Sequence, residues 1–215
     1  MEELYTTWKA IGVAGGDLSF FQDFFVKFYQ AFIEGDRWLQ YLNGVKTTLL
    51  VTALALILGI VLGVLVAMLR TAHDQQRPGH RNPILAVLNL ICKVYVTVIR
   101  GTPMMVQLLI MGFVIFASSR NFTMIGTLTL GINSGAYVSE IVRGGLMSVD
   151  KGQMEAGRSL GLNYMTTMRF IVIPQAVKAI LPALGNEFII LLKDTSLITV
   201  IGGKELLYAA QGIMN

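Results

Sequence analysis

The chain has 215 residues, of which 54% are hydrophobic and 14% charged, with a formal net charge of +4 and a mean hydropathy of +0.63. Soluble domains carry about 25% charged residues, so this composition excludes an ordinary soluble fold. The basic residues are spread over short loops with no aromatic-interleaved tract, which argues against nucleic acid as partner and for an anionic lipid surface. One cysteine, Cys92, cannot close an intrachain disulfide and reads as a packing residue.

Glu2 and Glu3 stand where the basic region of a secretory signal would lie, and no unbroken apolar run precedes residue 47. The first span itself is therefore expected to direct insertion. Residues 18–34 place Phe21, Phe24, Phe25, Phe28 and Phe32 at spacings of three and four, with Gln22, Asp23, Lys27 and Gln30 mostly elsewhere on the wheel. This amphipathic helix either lies in the membrane interface or packs on the side of a bundle.

The first span runs from about Leu42 to Met68, with Trp38 and Tyr41 as interfacial anchors. Residues 47–69 hold no charge, and roughly 20 such residues suffice to cross a bilayer. Gly59 and Gly63 have the spacing that lets another helix approach closely. The loop that follows carries Arg70, Arg77 and Arg81 with the breakers Pro78 and Gly79, so it is expected in the cytoplasm, leaving the N-terminus outside. A second span covers residues 84–117, interrupted by RGTP at 100–103. Unbroken it would be about 50 Å long, too long for a core of ~30 Å.

A third span, Phe122 to Val149, returns to the cytoplasm, where Lys151, Arg158 and Arg169 agree with the sign rule. The fourth starts near Pro174 or Ala176 and ends near Ile201, which puts the remaining residues outside. The expected fold is an all-α integral membrane protein with four transmembrane helices and an N-terminal amphipathic helix. Residues 1–37 form an interfacial segment and 38–215 a transmembrane domain, with a cytoplasmic loop at 150–174.

Within that loop, DKGQMEAGRSLGL reads as a short helix outside the membrane, bracketed by Gly152 and Gly161. Glu155 is expected in its first turn, where the helix dipole favours an anion. The small residues Ala156, Gly157 and Ser159 leave a low surface, suited to another protein or to lipid headgroups.

Polar side chains inside the spans tend to face a bundle interior or an aqueous path. Asn133, Tyr137, Glu140 and Gly144 share one helix face; Glu140 either lines a path or pairs with Arg143. Arg100 and Gln107 flank the break in the second span, and Arg100 either attracts a carboxylate or locks the break by bonding freed carbonyls. Pro182, Gly185, Asn186 and Glu187 mark a second irregular point in the fourth span, and Lys193 with Asp194 a third. The adjacent Lys193 and Asp194 point about 100° apart and are better placed to reach other helices than each other. His73 and His80 lack a metal-binding pattern, the methionines read as packing, and no nucleophile–base or paired-carboxylate arrangement suits hydrolysis.

Glu155, Ala156, Gly157, Gly161, Ile171, Ile173 and Pro174 follow the E-A-A-x3-G-x9-I-x-L-P motif with its spacing intact and two mild departures, Gly157 and Ile173. On these residues the chain resembles ATP-binding-cassette (ABC) importer permeases of the type I fold. IRGTPMMVQL, INSGAYVSEIVRGG, IPQAVKAILPALGNEF and LLKDTSL resemble the polar amino-acid branch, which includes histidine, glutamine and arginine permeases.

The resemblance implies that Glu155, Ala156, Gly157, Ser159, Leu160, Gly161 and Leu162 dock into a cleft on a separate ATPase. This chain has no phosphate-binding G-x-x-x-x-G-K-[ST] string. ATP and magnesium are thus expected on two copies of that partner, with no cofactor, metal or catalytic residue here. The resemblance also implies a homodimer or a related second permease, an external binding protein, a polar amino acid as cargo and a bacterial cell membrane. Arg100, Gln107, Asn133, Glu140, Asn186, Glu187, Lys193 and Asp194 are the candidate path residues. Permeases of this branch usually continue into a fifth span after the region matching LLYAAQ, so a truncated, non-transporting chain is one alternative. An ATP-independent channel or carrier is a second, of a different class.

Overall fold

The computed structural model describes residues 1–76 and 82–214; the expectations on Arg77, Pro78, Gly79, His80 and Arg81 lie outside the described residues. Among the described residues every regular element is helical. The unpredicted helix α1 (Glu2–Val13) precedes α2 (Phe20–Phe32), which starts at a capping box formed by Ser19 and Gln22. The two helices pack as a hairpin, with Tyr5 stacked on Tyr29 at 4.2 Å and Trp8 edge-on to Phe25 at 5.3 Å. Lys9 Nζ reaches Glu34 Oε1 at 2.7 Å, and hydrogen bonds to Glu34 and Tyr5 raise the Lys9 pKa above its ordinary value.

Helix α3 (Arg37–Asp74) is 38 residues long and spans the membrane. Helix α4 (Pro83–Gly101) starts with Asn82 Oδ1 capping the Ile84 N–H at 2.9 Å and stops at Thr102, where the chain becomes extended. A short α5 (Met104–Ile110) resumes after Pro103 and runs into a π-helical turn at Met111–Ile115. The break predicted at 100–103 is therefore present, and its cause is the proline: residue 103 cannot donate to the helix ladder.

Helix α6 (Phe122–Met147) agrees closely with the predicted third span. It is the most enclosed helix, packed by α3 and by the chain segments on either side of it, with eleven of its residues buried, many of them Gly, Ser or Thr. Among the described residues three helical stretches are long and apolar enough to cross a membrane, Glu34–Asp74, Pro83–Gly101 and Tyr164–Ile201, and α6 is not one of them. Its polarity follows from its position: a helix shielded from lipid by its neighbours needs small, hydrogen-bonding residues more than an apolar exterior.

A short helix α7 (Lys151–Ser159) follows, then α8 (Tyr164–Thr167), a π-helical turn at Met168–Val172, α9 (Ile173–Asp194) and a tight 3₁₀ stretch at Thr195–Ile201. These last four pieces form one continuous helical rod of 38 residues. The fourth span thus begins ten residues before Pro174, which follows directly on the π-helical turn at Met168–Val172, where the widened ladder accommodates a residue without an N–H. Pro182 likewise leaves α9 continuous, correcting the expected irregularity at residues 182–187. The departures from α-helix lie on either side, at 168–172 and 195–201.

After Gly202, at φ 90°, helix α10 (Leu206–Met214) lodges against α3, its Leu206 Cα falling 2.9 Å from where a Cβ on Gly44 would stand. The apolar core at this end joins Val51, Ala55, Leu108, Ile125, Leu130, Leu191, Ile198 and Ile201.

The close approach expected from Gly59 and Gly63 is made by α3 on α6. A Cβ on Gly59 would fall 2.7 Å from Ser134 Oγ, and one on Gly63 2.6 Å from Val138 Cβ. Gly131 and Gly135 of α6 receive Leu58 and Leu62 of α3 in return.

Candidate functional site

Two sites are set at different levels of the bundle. The first is a cavity of about 430 Å³ at the α4–α5 break, lined by Arg100, Pro103, Asn133, Tyr137, Glu187 and Asp194 among others. The freed carbonyls of the break are taken by Gln107, not Arg100: its Nε2 donates to Ile99 O at 2.7 Å and Thr102 O at 3.1 Å, and Asn133 Nδ2 donates to its Oε1 at 3.1 Å. Arg100 is released from that duty and sits over the Tyr137 ring, 5.0 Å from its centroid. Glu187, only 5% exposed, accepts a hydrogen bond from Ser134 Oγ at 2.7 Å, and Asp194 lines the cavity from the end of the same helix. The cavity therefore offers a guanidinium opposite carboxylates, with amide and hydroxyl groups between.

Of the predicted path residues, Arg100, Asn133, Glu187 and Asp194 come together here, and Gln107 supports them from behind. Asn186 and Lys193 lie exposed on the outside of α9, in keeping with the divergence expected for Lys193 and Asp194. Glu140 does not line this cavity. It forms an ion pair with Arg70 of α3, so neither its expected pairing with Arg143 nor a place beside Asn133 is what the structure shows. Arg143 pairs with Asp74 instead, at 2.8 Å. Ser134 was missed by sequence reasoning, although its position next to Asn133 in a polar helix was a usable signal.

Substituting Gln107→Leu leaves the Ile99 carbonyl and the Asn133 amide unpaired, at about 1–3 kcal/mol per buried group. The expected result is a lower unfolding temperature in detergent and new protease cleavage near residues 100–103. A variant as stable as the parent would show that the break holds without Gln107.

The second site is α7. Asp150 Oδ1 caps it, accepting from the Gly152 N–H at 2.6 Å, so Glu155 lies in the second turn and not the first; the anion that answers the helix dipole is Asp150. Gly161 ends the helix at φ 77°, and the Leu162 N–H returns to the Gly157 carbonyl at 3.0 Å. Glu155, Ala156, Ser159, Leu160 and Gly161 are exposed, Leu160 to 78%, while Leu162 is half-buried. Gly157 faces inward: a Cβ there would fall 2.7 Å from Thr167 Oγ1. That contact explains its departure from the alanine of the motif.

Helix α7 is fastened to the bundle by Gly157 on Thr167 and by Gln175 Nε2 donating to Gln153 Oε1 at 3.2 Å. Beside it, Tyr164 donates to Gln75 Oε1 at 2.6 Å, and the Asp74–Arg143 and Arg70–Glu140 pairs tie α3 to α6. Among the described residues, no three His, Cys, Asp or Glu side chains are grouped to hold a metal ion.

A membrane-spanning helical bundle with a polar cavity at a broken helix and a small helix displayed beyond one end defines the class: a multi-pass transport subunit. The chain matches the family described as binding-protein-dependent transport system inner membrane component over residues 84–215, more than half its length, and it belongs to that family. It is 42% identical over 135 residues to the glutamine transport system permease protein GlnP of Escherichia coli (strain K12), a match covering 60% of each chain. It is 35% identical over 191 residues to a putative glutamine transport system permease protein GlnP of Rickettsia typhi, covering 87% of this chain and 80% of that one.

Among solved structures, an amino acid ABC transporter crystallised with histidines has 40% identity and a TM-score of 0.71, covering 81% of this chain and 78% of the other. An inward-facing MetNI methionine ABC transporter, at 22% identity and a TM-score of 0.64 over 80% of this chain and 78% of the other, shares the fold.

Proposed function

We propose that this chain is the permease subunit of an ATP-driven importer of a polar amino acid, carrying the path and leaving ATP hydrolysis to a separate ATPase. The observation that carries this reading is α7: a capped, exposed helix with the E-A-G-x3-G pattern, seated by Gly157 on Thr167 of the rod that also bears Glu187 and Asp194. From Thr167 to Glu187 the rod is about 30 Å long at the helical rise. A push on α7 from a closing ATPase thus has a stiff element along which to reach the cavity.

In this reading α7 and the loop around it face the cytoplasm of a bacterial cell, and the N-terminus lies outside. Two ATPase copies, holding ATP and Mg²⁺, engage α7 on this chain and on its partner, a second copy or a related permease. An external binding protein delivers the cargo, and alternating access moves it inward as the ATPases reset. The cavity suits a zwitterion, its carboxylate toward Arg100 and its ammonium toward Glu187 and Asp194. Glutamine heads the amino acids to test, because the relatives carry that name.

Arg100→Gln and Asp194→Asn are each expected to lower amino-acid uptake at least about tenfold, since charge-assisted contacts to a buried ligand are worth about 1.5–3 kcal/mol. The ATPase should still co-purify with both variants. Uptake equal to the parent in both would remove the cavity from the path.

A further inference from the structure

Helix α2 turns a row of rings away from α1. Phe20 and Phe21 are 78% and 79% exposed, and Phe24, Phe28 and Phe32 continue the exposed row at helical spacing. The opposite side of α2 is spoken for, since Val26 is buried and Phe25 and Tyr29 pack on Trp8 and Tyr5 of α1.

The row does not end with the helix. Ring centroids step from Phe24 to Phe28 at 6.3 Å, Phe28 to Phe32 at 5.0 Å and Phe32 to Tyr41 at 5.2 Å. Tyr41 stands on α3 beside the exposed Trp38, Leu39, Leu42, Val45 and Leu49, which begin the apolar surface of that span. One aromatic surface therefore passes without interruption from the hairpin onto the membrane-facing side of α3.

The corner between the two helices is built to a fixed shape. Gly35 and Asp36 take consecutive left-handed conformations, at φ 64° and 54°, and Arg37 Nη1 donates to Gln30 O at 2.6 Å. Asp tolerates this region better than most residues. The Lys9–Glu34 ion pair closes the same corner from α1. Charged side chains sit off the row: Lys27 pairs with Asp23 at 2.7 Å along its edge, and Glu2 and Glu3 lie exposed on α1.

We propose that the α1–α2 hairpin is a lipid-seated platform whose phenylalanine row enters the acyl chains of the leaflet at the N-terminal end of α3. Continuity with the surface of a membrane span selects lipid over a protein as occupant. An amphipathic helix with an aromatic face and charges at its rim lies in the plane of the bilayer surface. Here the elbow at residues 35–36 holds it there, beside the mouth of the bundle opposite α7.

The test uses the full chain in lipid nanodiscs made with brominated-acyl phosphatidylcholine. Trp8→Phe and Trp38→Phe remove the native indoles, and single reporters are added as Phe21→Trp, Phe24→Trp, Leu50→Trp on the exposed side of α3, and Thr7→Trp on α1. Quenching at positions 21 and 24 is expected to approach that at position 50 and to exceed that at position 7 by at least about twofold, as for a helix face buried at acyl depth. Quenching at 21 and 24 no greater than at 7 would overturn the proposal. So would positions 21 and 24 unquenched by lipid but shielded from aqueous iodide only in discs holding two copies, or only when a binding protein is added. Exposed rings tolerate these exchanges, and Phe25→Trp in the α1–α2 contact checks that the hairpin is folded through its blue-shifted, lipid-insensitive emission. The readout involves no transport, so it stands or falls independently of the importer reading.

Discussion

Ala156→Asp and Glu155→Lys are each expected to abolish co-purification of the ATPase and to lower ATP-driven uptake more than about tenfold, with the permease itself as stable as the parent. Both side chains are exposed on α7 and make no contact that holds the fold, so a folding defect is not the expected route. The size of the effect follows from where they stand. On the docking face proposed for α7, an aspartate at 156 adds a charge that must be desolvated without a partner, and a lysine at 155 reverses the sign of one already there. Such a change costs several kcal/mol against a tenfold change per 1.4 kcal/mol.

Gly157 provides the contrasting case. Adding a methyl group at 157 drives it into Thr167, so Gly157→Ala is expected to loosen α7 from the rod while leaving its outer face intact. Thr167→Ser in the same chain removes the Cγ2 atom in the way and should restore part of the lost uptake. Equal uptake in Gly157→Ala and parent would show that the seat on Thr167 transmits nothing.

The second large effect is structural. In Gly63→Ala the new methyl group would stand 2.6 Å from Val138 Cβ and 2.9 Å from the backbone nitrogen of Ser139, and backbone cannot swing aside. Overpacking of this kind costs about 1–3 kcal/mol. It also forces apart the α3–α6 crossing that holds the Arg70–Glu140 and Asp74–Arg143 pairs in register. Thermal unfolding in detergent should occur at a clearly lower temperature. Gly144→Ala on α6 is the control, because nothing lies within 4 Å of its added methyl group. Alanine there is expected to stabilise by up to about 1 kcal/mol through helix propensity. If the two variants shift stability alike, the close crossing is not what positions these helices.

How far the sequence carries the reading depends on the reach of each signal. Residues 47–69 disclose a span by composition, and Pro103 discloses the break, because both are local properties. The C-terminal end of α7 was legible for the same reason, through Gly161, whereas the start expected at Gly152 falls inside the helix, which begins at Lys151 behind Asp150, and the wrong carboxylate was assigned to the first turn. Helix α1 was not visible, since its apolar side exists only to meet Tyr29 and Phe25 of α2. Pro174 and Pro182 misled in the other direction: a proline ends a helix only where the missing N–H and the ring cannot be accommodated, and both are accommodated here.

The cavity was legible as a set of candidates but not as a site. Arg100, Asn133, Glu187 and Asp194 belong to three helices, and nothing in their spacing says that they converge while Asn186 and Lys193 turn away. Glu140 shows the limit most plainly, because its partner Arg70 is 70 residues away in the chain.

The central claim is that this chain moves an amino acid only when a separate ATPase drives it through α7. It is tested most directly by uptake of labelled amino acid into proteoliposomes holding the permease, its ATPase and its binding protein, with and without ATP and Mg²⁺ at the α7 side. The account predicts accumulation against a gradient that requires ATP and is lost in Ala156→Asp. Uptake of equal rate and extent without ATP, or without the ATPase, would contradict it.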